Sequence, residues 1–262
     1  FCDDGGSFSQ AHSNRLSIEE QVRVGAETLR DRFGAQKFMS YFQAFSNTYK
    51  PVEELETIYK SALTHPDIVG LSIGTRPDCV DSYLLDYYQD IAKEKYVMIE
   101  YGIESTSDVT LQRINRGHTY SDSIRAVEET HKRGINVGAH LILGLPGERE
   151  TDFISHAKKI NELPLDMLKL HQLQIVKGTV LEKQWQNGSA DLMTFTMNEY
   201  IDLCIRFLEQ LKPTIGIERF ISQSPKDLLI YPDWGVKNFE FIAKLQKRMV
   251  ELNAFQSRLY VQ

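Results

Sequence analysis

The chain has 262 residues, 42% of them hydrophobic and 25% charged, a composition that suits one sizeable globular domain, with or without a short appendage, and excludes disordered and fibrous classes. Thirty basic against thirty-six acidic side chains give a net charge of -6, so general attraction to nucleic acid or to an anionic membrane is not expected. The longest apolar runs are strand-sized and the N-terminus shows no charged-then-apolar leader, so the expectation is a soluble, intracellular, cytoplasmic protein with no membrane partner.

From residue 17 onward, short apolar runs alternate with amphipathic stretches in the cadence of βα units around a parallel sheet. Ser17 and Glu20 form a capping box opening a helix that ends before Gly34. A strand is expected over residues 37–45. A second helix starts near Pro51 and lines up Val52, Leu55, Ile58, Tyr59, Ala62 and Leu63 on one stripe. Strands follow at 68–74, 97–103, 136–143 and 167–176, separated by helices at 82–94, 122–133 and from Gly147 to about 163, where Pro164 stops the last. That makes five strands. Beyond them a Thr196/Glu199 capping box opens one helix and residues 236–252 suit another, so residues 182–262 are expected to be a helical extension of a barrel core spanning 1–181. Cys204 shares a helix face with Tyr200, Phe207, Leu208 and Leu211 and is read as a core thiol.

Strand alternation shows what each strand presents to either side. Val69, Leu71 and Ile73 form one apolar face, opposite Gly70, Ser72 and Gly74. Val97, Ile99, Tyr101 and Ile103 back Met98, Glu100, Gly102 and Glu104; Val137, Ala139, Leu141 and Leu143 back Asn136, Gly138, His140 and Ile142. A strand covered by helices on both faces should be almost continuously aliphatic, and these are not. The expected fold is therefore α/β, a partial (β/α)6 TIM-type barrel whose inner face is small and polar. Carboxylates such as Glu100 and Glu104 are costly to bury alone, so the lumen needs cations, water or a ligand; Lys169 and His171 can supply part of that pairing.

The C-terminal strand ends, where βα barrels place their chemistry, carry four distinctive stretches: QAFSNTY at 43–49, SIGTRPD at 72–78, YGIESTSDVTLQRINRGH at 101–118 and HLILGLPGE at 140–148. Each alone is weak: Gly144 and Gly147 around Pro146 make an ordinary tight turn, and Arg116 suits either a carboxylate clamp or an exposed surface. Together and in order they resemble the radical S-adenosylmethionine (SAM) superfamily, in the branch of the Elongator catalytic subunit and the oxygen-independent coproporphyrinogen oxidases, nearest the YhcC-like Fe-S oxidoreductases. The similarity covers about residues 1 to 181.

The resemblance implies a [4Fe-4S] cluster held by three cysteines of a loop after the first strand, with SAM on the fourth iron. Soft anionic thiolates suit iron, and a missing fourth protein ligand leaves an open coordination position. The YhcC-like loop ends in C-x-F-C; here Phe1-Cys2 matches its last piece, which makes Cys2 a metal ligand and implies that the first strand and two further cysteines lie upstream and that the chain as it stands is inactive. Carried over residue by residue, the resemblance puts Glu104 at a ribose-binding position, Arg116 at the SAM carboxylate, His140 at a polar SAM contact and Ile142 on the adenine. Asn47 and Thr48 stand where the family has its Gly-rich SAM-amine motif, a departure. Gly74 and Thr75 follow at the next strand end, Gly74 where related branches carry Glu. Cys79, just after that strand, is read as structural rather than as a hydrogen donor.

The implied activity is reductive SAM cleavage and hydrogen abstraction from a lumen-bound substrate of unknown identity, with a flavodoxin or ferredoxin as electron donor. RNA, a substrate of neighbouring families, finds no support in the charge. Glu100, His140, Lys169 and His171 are candidate contacts. Two other readings differ in class: a non-catalytic SAM- or nucleotide-binding barrel, and a phosphate-binding barrel lyase with Lys169 as base.

Overall fold

The computed structural model describes residues 16–43 and 45–261. Its first half repeats the strand and helix alternation: α1 (Ile18–Phe33), β1 (Phe38–Phe42), α2 (Val52–Ala62), β2 (Ile68–Thr75), α3 (Ser82–Ala92), β3 (Tyr96–Glu104), α4 (Asp108–Arg113), α5 (Tyr120–Lys132), β4 (Asn136–Leu143), α6 (Glu150–Asn161) and β5 (Met167–Gln172). Then come β6 (Ile175–Val176), α7 (Val180–Gln186), α8 (Met197–Gln210), β7 (Gly216–Arg219), β8 (Leu229–Tyr231) and α9 (Asn238–Glu251). Side-chain caps set the helix starts. Ser17 Oγ accepts from the Glu20 amide and closes α1, and Thr196 with Glu199 forms a full capping box on α8.

Six parallel strands in the order β1-β2-β3-β4-β5-β7 form the main sheet, which curls into the half-barrel expected of a partial TIM-type fold. One continuous core lies between sheet and helices. It contains Leu71, Ile73, Val97, Ile99, Tyr101, Val137, Ala139, Leu141, Leu168 and Leu170, the outward face of four strands. Val69 departs from that face and is 39% exposed. Phe38 pairs with Ile68 and Met39 with Gly70, so Val69 is the extra residue of a bulge and is turned out of the alternation.

Three features differ from the sequence expectation. The run over 167–176 is two strands: after Gln172 the chain leaves the sheet, and Ile175–Val176 pairs antiparallel with Leu229–Tyr231. α4 is a short additional helix within the LQRINRGH stretch. The sixth strand, β7, comes from the region read as a helical extension; it pairs parallel with β5, and Ile215, Phe220 and Ile221 beside it join the barrel's core. That region is otherwise mainly helical, with α7, α8 and α9.

Candidate functional site

On the inner face, four strands converge on Glu100, which is 3% exposed in the middle of β3. Its Oε1 accepts from Ser72 Oγ of β2 at 2.6 Å. Its Oε2 accepts from Tyr41 OH of β1 at 2.9 Å, from Lys169 Nζ of β5 at 2.5 Å and from His140 Nε2 of β4 at 2.9 Å. Lys169 also reaches Tyr41 OH at 3.0 Å and Glu218 Oε1 of β7 at 3.0 Å. Glu100, His140, Lys169 and Glu218, with Gly138, Ala139 and Met167, line a narrow, closely packed cleft on this face. A second, mostly apolar hollow is lined by Leu143, Leu173, Phe195, Tyr231 and Trp234 among others.

This network answers the cost of burying charge. Burial pushes the Glu100 carboxyl upward, but the His140 hydrogen bond and the Lys169 charge outweigh it and hold the group well below the usual carboxylate range. Burial likewise favours neutral Lys169, yet the facing Glu100 charge keeps the ammonium charged. Tyr41 is pushed up to about 12 by burial and by Glu100, so it stays a neutral donor. His171, two residues along β5 from Lys169, lies with its ring 5.5 Å from that of His140. Burial, then the charges around it, lower its basicity well below the usual histidine value, so the ring is neutral.

Nearer the mouth, β3 ends in a bulge: Gly102 pairs with His140 and Glu104 with Leu141. Glu104 adopts φ 65°, a left-handed conformation that costs a non-glycine residue about 1 kcal/mol. It is held by Arg116, whose Nη2 lies 3.2 Å from Glu104 Oε1 and donates to Gly102 O at 2.9 Å. Arg116 Nε donates to His118 Nε2 at 3.1 Å, which leaves the other ring nitrogen as the N–H facing Thr119 O at 3.2 Å. The ends of both side chains pack directly over Gly102: a Cβ there would lie 2.5 Å from Arg116 Nη2 and 2.6 Å from Glu104 Oε1, so a larger residue would push these flexible ends aside.

Asn47, Thr48, Gly74 and Thr75 also come together, at the ends of β1 and β2. Asn47 Nδ2 donates to Phe42 O at 3.0 Å and Gly74 O at 2.8 Å, Tyr59 OH donates to Asn47 O at 2.6 Å, and the Thr48 and Thr75 hydroxyls meet at 2.5 Å. These contacts lock the loop onto the strand ends. Ile142 is half-buried beside His171, its register partner on β5. Cys2 lies outside the described residues. Cys79 is half-buried, its thiol raised by burial and by Asp78; Cys204 is fully buried, as expected.

Sequence reading missed Tyr41, Glu218 and Arg219, and a second buried group in which Glu148 Oε1 accepts from Ser105 Oγ at 2.6 Å and faces His156 Nε2 at 3.1 Å, while Thr106 Oγ1 and His156 Nδ1 are 2.7 Å apart. This latch ties the loop after β3 to the loop after β4. The signal for Glu148 was its place at the end of HLILGLPGE; no comparable signal marked Glu218 or Arg219.

A model of the radical SAM superfamily matches residues 1–160, and one of the radical SAM C-terminal domain matches residues 165–251. The uncharacterized protein MJ0486 of Methanocaldococcus jannaschii is 36% identical over 237 residues, covering 90% of this chain and 73% of its own. Protein YhcC of Escherichia coli K12 is 31% identical over 252 residues, covering 96% and 80%. Among solved structures, archaeal Methanocaldococcus infernus Elp3 with an N-terminal deletion superposes with TM-score 0.77 at 20% identity, over 92% of this chain and 60% of that one. This last likeness is one of fold.

Proposed function

The chain belongs to the radical SAM superfamily, and from that premise we propose that it is a radical SAM oxidoreductase that binds SAM at the Glu104–Arg116 end of the lumen and acts on a substrate held deeper against Glu100, Lys169 and His140. The observation that carries this reading is the clamp at the end of β3. An arginine is held against the Gly102 carbonyl, beside a carboxylate in a strained left-handed conformation, and strain of this kind collects at binding sites.

The donor set fits SAM. Arg116 offers a planar fork for a carboxylate, Glu104 an acceptor for ribose hydroxyls, and Ile142 an apolar surface for an adenine ring. The iron-sulfur cluster finds no ligand set in the described residues: no group of three or more His, Cys, Asp or Glu that could hold a metal occurs among them, which leaves Cys2, outside them, as the proposed ligand. When bound, the cluster would supply the reducing electron for SAM chemistry, with Cys2 as the ligand this chain would contribute. The chain's own residues orient and exclude: Asn47 and Thr48 fix the loop beside the SAM position, and the closed Glu100 network gives the lumen a fixed polar floor with no mobile charge.

The test is anaerobic iron-sulfur reconstitution of the complete gene product, then incubation with dithionite and SAM. Formation of 5'-deoxyadenosine, abolished in Cys2→Ala and strongly reduced in Arg116→Gln, is the expected result. SAM binding without cleavage would identify a non-catalytic binding barrel, and turnover of a substrate without SAM would overturn the assignment.

A further inference from the structure

Two polar atoms on the inner face of the barrel have no use in the network above. Arg219 Nε and His171 Nε2 are both buried, and neither has a hydrogen-bond partner among the described residues. Leaving a buried donor unpaired is unfavourable, and natural folds rarely do so without a reason.

Local geometry explains how the arginine comes to be there. β5 and β7 pair Leu168 with Ile217 and then Lys169 with Arg219, so Glu218 is the extra residue of a bulge. A bulge sets two residues of one strand opposite one of its partner and re-aims their side chains. Here both Glu218 and Arg219 stand beside Lys169. Glu218 ion-pairs with Lys169 at 3.0 Å, and Lys169 also holds Glu100, so both nearby carboxylates are spent on the lysine. Among the described residues Arg219 is left without an ion-pair partner. It is close enough to His171 for its charge to help keep that ring neutral.

We propose that the substrate carries an oxyanion, a carboxylate or a phosphate monoester, that accepts hydrogen bonds from Arg219 and His171. Arginine supplies the charge and the fork, and neutral imidazole, in the tautomer that carries its proton on Nε2, would supply one further N–H without adding charge. This anion would have its own ligands, distinct from the arginine proposed for the SAM carboxylate. Arg116 is bonded to β3, whereas Arg219 belongs to β7, with β4 and β5 between them in the sheet. Calling the anion part of the substrate rests on the SAM reading; the anion site itself does not.

The experiment therefore needs neither cluster nor SAM. The protein, labelled with ¹⁵N in its histidines, is titrated separately with inorganic phosphate and with acetate while the imidazole nitrogens are followed by NMR, His171 being assigned by its loss in His171→Gln. A saturable shift of His171 Nε2 is expected with at least one of them, and a tenfold preference identifies which oxyanion the site takes. Arg219→Gln should abolish the response. Arg219→Lys, which keeps the charge and loses Nε, should weaken it at least fivefold, and Arg206→Gln, at an exposed ion pair with Glu150, should leave it unchanged. No saturable shift with either anion, or a shift that survives Arg219→Gln, would overturn the proposal. Failure of SAM cleavage with an intact anion response would instead count against the SAM reading alone.

Discussion

Replacing Lys169 with Met removes one partner of the ion pair at the centre of the lumen and nearly preserves side-chain length. Lys169 and Glu100 are 3% exposed each, with Nζ and Oε2 2.5 Å apart. At an effective dielectric near 20 that attraction is roughly 7 kcal/mol gross, set against a desolvation cost of several kcal/mol per ion, so the intact pair contributes little net stability. The variant is different, because it keeps the buried carboxylate and loses its cation. Loss of about 3–5 kcal/mol is expected at pH 7, a fall in Tm of about 6–20 °C for a chain of this size. Folding holds Glu100 below its ordinary value of 4.5, so its stabilising contribution is complete above that pH and is lost as pH falls through the lower folded value. Without Lys169 the folded carboxyl titrates higher and sheds its charge earlier, so the gap between variant and parent should be widest near neutrality and narrow below about pH 5. Urea denaturation followed by circular dichroism at pH 7 and pH 4.5 measures both. A loss under about 1 kcal/mol at pH 7, or a gap that does not narrow in acid, would refute the reasoning. The double variant Glu100→Gln with Lys169→Met should recover part of the loss, since it removes the stranded charge.

Three further outcomes follow from the same geometry. Arg116→Gln should weaken SAM binding to the reconstituted protein by about 10- to 100-fold, the worth of one or two charge-assisted hydrogen bonds, as read by calorimetry; unchanged affinity would remove Arg116 from the site. Glu148→Ala leaves Ser105 and His156 without their shared acceptor and should cost about 1–3 kcal/mol in urea unfolding, whereas a neutral effect would show that the two loops hold without the latch. The raised Cys79 thiol should react with iodoacetamide at pH 7 more slowly than free cysteine, as followed by peptide mass spectrometry, and faster reaction would contradict a structural role.

Much of the fold was legible because alternation and capping are local. The inward set Ser72, Glu100, His140 and Lys169 could be read from period-two spacing, and the structure joins all four in one network. Arg116 and Glu104, twelve positions apart, also meet, as an ion pair that the sequence reading did not specify. What escaped depends on contacts distant in sequence. β7 is four residues long, too short for a pattern, and is a strand because β5 offers it an edge. The split between β5 and β6 was hidden for the converse reason: Ile175 and Val176 continue the apolar run, and only pairing with Leu229–Tyr231 turns them away. Tyr41 was passed over because an aromatic on a strand ordinarily signals packing, and its hydroxyl gains meaning only opposite Glu100.

The account stands or falls on where SAM binds, and a crystal structure of the anaerobically reconstituted complete protein with SAM shows it directly. The SAM carboxylate is expected on Arg116, the ribose on Glu104 and the adenine against Ile142, with Arg219 and His171 left free for the second anion. SAM seated elsewhere, with the Glu104–Arg116 pair untouched, would contradict it.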